Sequence, residues 1–150
     1  GKPQETYQNQ AMLDGIDLEP FAREYYEKLN GVTVQQVGFI ALDDNIGASP
    51  DGLIGDDGMT EFKCVKTTTH IETLIDGKMP TTYRPQVQGQ LYVCERQFCD
   101  FVSYCPDIAQ KPYFCERIYR DETYIADLAS KLKLFVAELL ELTEKIKNNY

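Results

Sequence analysis

The spacing of apolar and polar residues along this chain predicts helices near its two ends and strands between them. The first predicted helix runs from Asp17, which can cap it, to about Leu29, and Gly31 lies just beyond its end. Pro20 is compatible with a first turn. The predicted apolar face of this helix consists of Leu18, Phe21, Ala22, Tyr25, Tyr26 and Leu29.

A long closing helix is predicted from about Asp121 to Lys147. Its apolar residues recur at spacings of three and four, which is the period of a helix. They are Ile125, Leu128, Leu132, Phe135, Leu139, Leu142 and Ile146. Because this helix is longer than a typical core helix, we expect part of it to pack against another subunit.

The middle of the chain combines strand and helix patterns. The expected strands are Val32 to Leu42 (one or two strands), Ile46 to Ser49, Met59 to Val65, Phe98 to Tyr104 and Tyr113 to Tyr119, the last two pairing as a hairpin. A short helix is expected within Thr67 to Pro80, and another is expected to begin near Pro85. This order predicts a mixed α/β fold in which helices flank a central mixed sheet.

Length and composition are those of one compact domain. With 150 residues, 43% of them hydrophobic, residues 1–150 can form a single domain with its own core. No apolar run approaches the roughly 18 residues that a membrane helix needs, so we expect no membrane association. The polar start lacks a signal-peptide pattern, and Gly1 in place of Met indicates a processed or engineered start, so we expect residues to be missing upstream.

Cysteine and histidine offer no strong metal motif. The five cysteines are expected to be reduced, half-buried small side chains. An iron-sulfur cluster bound by four cysteines is the alternative, but this chain has no Cys-x-x-Cys pair, which counts against such a cluster. His70, the only histidine, is expected to lie in a loop, with contact to substrate as the alternative.

The glycine-rich run from Ser49 to Lys63 carries the candidate chemistry. If it forms a hairpin with Met59 to Val65 as the returning strand, Glu61 and Lys63 share one face of that strand. Asp51, on the opposite arm, can reach the same point. Two carboxylates suit Mg²⁺ or Mn²⁺, and a nearby lysine suits the handling of a water molecule.

A purely structural interpretation exists for each of these residues. Pro50, Asp51 and Gly52 form a favoured turn sequence, so Asp51 could be only a turn former. Glutamate and lysine two residues apart are also common on a solvated sheet surface. The combination of all three residues in one hairpin is what favours a site.

Several segments resemble the lambda exonuclease subgroup, also called YqaJ-like viral recombinases, of the PD-(D/E)xK nucleases. The general motif of these nucleases consists of an Asp, a spacer of about ten residues and Glu-x-Lys. This motif is weak by itself. The resemblance extends over residues 11–107. It is carried by Ser49-Pro50-Asp51-Gly52, Glu61-Phe62-Lys63-Cys64, Gly15-Ile16-Asp17-Leu18-Glu19 with Ala22-Arg23, and Tyr83-Arg84-Pro85-Gln86-Val87-Gln88.

The resemblance implies a restriction-endonuclease-like core and a defined site. Asp51 and Glu61 are expected to bind Mg²⁺ or Mn²⁺, with the backbone carbonyl of Phe62 as a further ligand. Glu19 would help to hold this ion or a second one. Its other interpretation is a carboxylate placed in the first turn of a helix by the helix dipole.

Lysine and glutamine complete the implied site. Lys63 would position the attacking water and take its proton. Gln86 matches the active-site glutamine of the family, and Gln88 matches the second glutamine of the motif. Gln90 has only its helical period to recommend it and is expected to lie on the surface.

The resemblance also implies a biological setting. Relatives of this kind digest linear duplex DNA from its ends in the 5′ to 3′ direction, form ring-shaped trimers and work with a partner that anneals single strands in phage recombination. The expected location is the cytoplasm of a bacterial or phage-infected cell. The family's N-terminal segment that grips the 5′ phosphate has no obvious equivalent in this chain.

The charge of the chain leaves two alternatives open. Its formal net charge of −9 opposes tight binding of DNA, although Lys63, Lys66, Lys78 and Arg84 could make the central segment locally positive. One alternative is a catalytically weak DNA-binding or assembly module that retains the nuclease fold. The other is a RecB-like nuclease of different polarity.

Overall fold

The computed structural model describes residues 18–149 and places helices on both sides of a small sheet. In chain order the elements are α1 (residues 18–30), β1 (Ile40–Ala41), β2 (Gly47–Ala48), β3 (Gly52–Ile54), β4 (Gly58–Lys63), α2 (Thr67–Asp76), a 3₁₀ helix (Thr81–Tyr83), α3 (Arg84–Val93), β5 (Phe98–Tyr104), β6 (Tyr113–Tyr119) and α4 (Glu122–Asn149). The mixed α/β architecture and the long C-terminal helix are as predicted.

The central sheet has four strands in the order β3, β4, β5, β6. Strands β3 and β4 form an antiparallel hairpin, and so do β5 and β6. The middle pair, β4 and β5, is parallel. Parallel neighbours need a crossover connection, and here it contains α2 and α3. The two predicted hairpins are therefore joined into one mixed sheet.

Alternating side chains of the central strands supply two hydrophobic clusters, one on each face of the sheet. Met59 and Phe101 belong to the cluster that contains Val87 and Leu91 of α3. Phe62 and Val102 belong to the cluster that contains Ala22 and Tyr26 of α1. Since neighbouring residues of a strand point to opposite faces, α1 and α3 lie on opposite sides of the sheet.

The predicted strand from Val32 to Leu42 is wrong over most of its length. Only Ile40–Ala41 is a strand, and it pairs with Gly47–Ala48 in a separate two-stranded sheet. Upstream, Gln35 forms an isolated bridge with Leu53 of β3. The apolar pattern here reflects packing without strand pairing, because Val34 contacts the cluster next to α1 and Val37 contacts the cluster next to α3.

The terminal helices bury less apolar surface than their patterns predict. In α1, Ala22 and Tyr26 are buried, whereas Phe21 is 59% exposed. In α4, Ile125 is buried, whereas six large apolar side chains farther along the helix are exposed: Leu134, Phe135, Leu139, Leu140, Leu142 and Ile146. Asp17 and the predicted residues before it lie outside the described part of the chain.

His70 lies in helix α2 and is fully buried, which corrects its prediction as a loop residue. Its Nε2 atom lies 2.8 Å from the Lys111 carbonyl, and its Nδ1 atom lies 2.8 Å from the Ser103 hydroxyl. A carbonyl only accepts, so Nε2 donates to Lys111 and Nδ1 accepts from Ser103 when the ring is neutral. His70 thereby ties α2 to the β5–β6 hairpin.

The five cysteines are free thiols, and their burial varies more than predicted. Cys99 and Cys105 are buried, two others are half-buried, and Cys115 is exposed. None of the helices described between residues 18 and 149 is long and apolar enough to cross a membrane.

Candidate active site

The β3–β4 hairpin brings Asp51 to the returning strand. Asp51 immediately precedes β3, and its Oδ2 atom accepts a hydrogen bond of 2.8 Å from the Phe62 N–H. The adjoining Gly52 is required by close packing, because a Cβ atom there would lie 2.2 Å from a methyl carbon of Val34. Gly55 closes the hairpin with a φ of +53°, a conformation that favours glycine.

Glu61 and Lys63 lie side by side on β4. The Lys63 Nζ atom lies 3.3 Å from Glu61 Oε1 in an ion pair, and the Glu61 side chain is only 5% exposed. Gln86, in the first turn of α3, donates from Nε2 to the same Oε1 atom at 3.1 Å. The structure therefore places Glu61, Lys63 and Gln86 together, next to Asp51.

The Phe62 carbonyl lies on the edge of β4 that faces Asp51. The N–H and C=O groups of one strand residue point toward the same neighbouring strand, and the Phe62 N–H points to Asp51. Pairing between β3 and β4 ends at Gly52 and Thr60, so this carbonyl lies beyond the paired part of that edge.

Glu19 approaches the same group of residues from α1. Partial burial raises the pKa of Glu19, and the negative charge of Asp51 raises it further. The positive charges of Arg23 and Lys63 oppose this rise in the pKa of Glu19. Arg23 lies one helical turn after Glu19, and it opposes the raised pKa of Asp51 as well. Arg23 therefore adds a cation to the site, a role that the sequence motif did not indicate.

The two hairpin carboxyls have raised pKa values. Burial raises the pKa of Glu61, and the nearby charge of Asp51 raises it further, while Lys63 opposes both effects. Burial also raises the pKa of Asp51, against the hydrogen bond from Phe62 and the charge of Lys63. Two acids held this close in a partly dry site favour a bound cation or proton over two free charges.

The residues present fit a divalent cation that keeps some of its water. Within residues 18–149, no three His, Cys, Asp or Glu side chains are arranged to hold a metal ion by themselves. Mg²⁺ is commonly bound by one or two carboxylates together with water and substrate phosphates. Among these described residues, Glu61 Oε2 is buried and has no hydrogen-bond partner. This free oxygen beside Asp51 is a suitable ligand.

One glutamine of α3 differs from its predicted position. Gln90 is buried, not on the surface, and its side chain interacts with Glu61 and lowers the pKa of that carboxyl. The signal was its spacing, because Gln90 lies one turn after Gln86 on the same side of the helix. Gln88 points elsewhere and bonds the backbone of Tyr119 and Asp121.

Two of the four basic side chains of the central segment pair with acids. Lys63 pairs with Glu61, and the Arg84 guanidinium pairs with Asp121. Lys66 and Lys78 are exposed.

This arrangement defines the class of the protein. A hairpin with Asp51 on one arm and Glu61 and Lys63 on the other, set in a mixed sheet between helices, is the arrangement of the PD-(D/E)xK class. Within it, the chain belongs to the YqaJ-like viral recombinase domain family, whose family model matches residues 1–97.

Solved structures of exonucleases are similar to this chain. The alkaline exonuclease LHK-Exo from Laribacter hongkongensis is 43% identical, with a TM-score of 0.86 over 92% of this chain and 73% of that one. A second structure, LHK-Exo in complex with dAMP, has the same identity and a TM-score of 0.87, over 93% and 73% of the two chains.

A more distant structure supports the fold alone. It is a phage related exonuclease from Haemophilus somnus 129PT, with 14% identity and a TM-score of 0.56, over 82% of this chain and 70% of that one. No curated protein sequence matches the chain.

Proposed function

We propose that residues 1–150 form one nuclease domain that hydrolyses phosphodiester bonds at the ends of linear duplex DNA, with Mg²⁺ or Mn²⁺ as cofactor. The observation that carries this proposal is the convergence of Asp51, Glu61 and Lys63 at the end of β4. The 43% identity to LHK-Exo, an alkaline exonuclease, supports the same reaction.

Each proposed site residue has one task in the hydrolysis. Asp51, Glu61 and the Phe62 carbonyl would hold the metal ion, with Glu19 assisting from α1. The bound ion would supply Lewis-acid stabilisation of the phosphate and of the leaving 3′ oxygen. A water oxygen would form the new bond to phosphorus as the bond from phosphorus to the 3′ oxygen breaks, and the proton that the water loses would balance the one that the 3′ oxygen takes up through solvent.

Lys63 and Gln86 are proposed to orient the water and the phosphate. Lys63 contacts the Glu61 carboxylate, which attracts a charged ammonium group, and an ammonium group can only donate hydrogen bonds. We therefore assign Lys63 to positioning in preference to taking a proton. Gln86 Nε2 is already held by Glu61, which leaves its amide oxygen available to the water.

Digestion of matched DNA substrates tests the reaction. The wild-type chain with Mg²⁺ should release nucleotides from linear duplex DNA and should leave covalently closed circular DNA intact, whereas EDTA should stop digestion. Glu61→Ala and Lys63→Ala should lose activity. Glu138→Ala and Lys133→Ala, which change exposed residues of α4, are the matched controls. Equal digestion by all variants would overturn the proposed site.

DNA labelled at one end tests the proposed 5′ to 3′ direction. A label at the 5′ end should be released at once as a mononucleotide, while a label at the 3′ end of the same strand should remain until late. The reverse order would favour a RecB-like nuclease of other polarity. Binding of DNA without digestion would favour an assembly module.

We also propose that the chain forms a homo-oligomer, a trimer by family resemblance, and cooperates with a single-strand annealing protein. The exposed apolar side chains of α4 support an interface, since Leu134 is 63% exposed and Phe135 is 60% exposed. Light scattering during size-exclusion chromatography should give three times the chain mass. A monomer at micromolar concentration would contradict this.

A further inference from the structure

Lys63 has a second contact besides Glu61. Its Nζ atom lies 4.9 Å from the centroid of the Tyr83 ring, over the ring face. Tyr83 ends the 3₁₀ helix and directly precedes α3, the helix that carries Gln86. Two residues three positions apart therefore act on the same acid and lysine pair, Tyr83 on Lys63 and Gln86 on Glu61.

Tyr83 is held in place through both its backbone and its ring. Its backbone N–H donates to the Pro80 carbonyl at 3.1 Å, and Pro85 fixes the first turn of the helix that follows. The ring packs against Phe101, with centroids 5.5 Å apart and an interplanar angle of 32°. Phe101 is 1% exposed and is the β5 neighbour of Glu61.

An aromatic face attracts an ammonium group because the ring carries negative charge density above its plane. The attraction is stronger when the pair is shielded from water, and the Lys63 side chain is only 24% exposed. The lysine side chain is long and flexible, so a single contact with Glu61 leaves the ammonium group several positions. Contacts with both a carboxylate and a ring restrict the ammonium group to one position.

We propose that Tyr83 is a positioning residue whose ring face holds the Lys63 ammonium group beside Glu61 for hydrolysis. This inference rests on the proposed nuclease function. It assigns the effect to the ring face and not to the Tyr83 hydroxyl. It also distinguishes Tyr83 from a residue that only fills the core.

Three substitutions at Tyr83 separate these roles. Tyr83→Phe keeps the ring and should keep kcat within about twofold of wild type. Tyr83→Leu and Tyr83→Met keep apolar contact with Phe101 but remove the ring, and they should lower kcat about tenfold with little change in KM. Both should keep a thermal unfolding midpoint close to that of Tyr83→Phe.

Tyr124→Leu is the matched control. Tyr124 is also half-buried, and its ring lies 5.0 Å from the Arg84 guanidinium carbon, so the substitution removes the same type of contact elsewhere. It should leave kcat unchanged. A tenfold loss in both Tyr83→Leu and Tyr124→Leu would show a general effect of lost rings and would overturn the proposal.

Proton NMR reads the contact without depending on activity. The ring should shift the Lys63 ε-methylene protons upfield, and this shift should persist in Tyr83→Phe and disappear in Tyr83→Leu. If the wild type digests DNA and Tyr83→Leu is equally active, the role of Tyr83 is overturned while the proposed nuclease function stands. Equal losses of kcat in Tyr83→Phe and Tyr83→Leu would overturn the role of the ring face and would assign the effect to the Tyr83 hydroxyl. Absence of digestion by the wild type, with the shift present, overturns the nuclease function on which the role depends.

Discussion

Glu61 and Asp100 are two buried acids on neighbouring central strands whose surroundings differ. Glu61 is 4% exposed on β4, and Asp100 is 3% exposed on β5. Glu61 is paired with Phe101 of β5, so these two side chains lie on the same face of the sheet. Asp100 directly precedes Phe101 on β5 and therefore points to the opposite face. Burial alone therefore does not distinguish them.

Both oxygens of Asp100 are bonded. Arg117 donates to Oδ1 at 2.9 Å and to Oδ2 at 3.0 Å, and the Tyr26 hydroxyl also donates to Oδ2. The Arg117 guanidinium carbon also lies 3.8 Å from the centroid of the Phe98 ring. Asp100 thus joins α1, β5 and β6, which is a structural role.

Glu61 is bonded on one oxygen only. Lys63 and Gln86 both contact Oε1, while Oε2 is buried and unbonded among the described residues. Leaving a buried carboxylate oxygen without a partner costs free energy unless something binds it. A fully bonded buried acid serves the fold, whereas a half-bonded acid beside a second carboxyl is suited to a ligand.

The largest expected effect is on activity, in Glu61→Gln. The amide has the same shape but no charge for the cation, so we expect kcat to fall about 10³-fold. The free energy of unfolding without metal should change by no more than about 1 kcal/mol, because the charge removed is one that burial and Asp51 already disfavour. DNA digestion and urea unfolding measure the two effects. A large loss of stability would contradict this expectation and would indicate that Glu61 has a structural role like that of Asp100.

The next largest effect is on stability, in Asp100→Asn. It leaves Arg117 without its buried counter-charge and should lower the free energy of unfolding by about 3 kcal/mol, the lower end for a broken buried pair. The Arg117 side chain is 45% exposed and can regain water, which limits the loss. Urea unfolding checks this. Asp127→Asn, which removes an exposed partner of Lys131, should change stability little.

A smaller effect is expected in Tyr26→Phe. It removes the hydroxyl donor to Asp100 and should cost about 2 kcal/mol, a typical value for a hydrogen bond to a charged group. The kcat of the folded protein should stay near that of wild type. Tyr124→Phe, which keeps its ring next to Arg84, is the control. A loss of kcat larger than the loss of folded protein would connect Tyr26 to the site.

The smallest effect is the gain from added metal. Mg²⁺ at ten times its dissociation constant should stabilise the wild-type fold by about 1.4 kcal/mol, a rise of about 3–5 °C in Tm. Glu61→Gln should lose this rise, and Asp100→Asn should keep it from a lower starting Tm. An equal rise in wild type and Glu61→Gln would place the metal elsewhere.

The hairpin, the paired strands β5 and β6, and the start of α3 could be predicted because they depend on nearby residues. Glycine spacing and alternation set the hairpin, and Pro85 marks the first turn of α3. The prediction of a strand from Val32 to Leu42 was wrong over most of its length, because alternating apolar residues indicate burial on two sides and do not require a pairing partner. The sequence contains no local record of whether such a partner exists.

The sequence by itself determined which chemical groups the hairpin carries, since the two-residue period of a strand places Glu61 and Lys63 on one face. Only the tertiary structure decided that Gln90 is buried beside Glu61, that His70 is a core residue, and that the ring of Tyr83 contacts Lys63. The physical reason is that these contacts join separate elements. Their geometry depends on how α2 and α3 pack across the sheet, which no local spacing specifies.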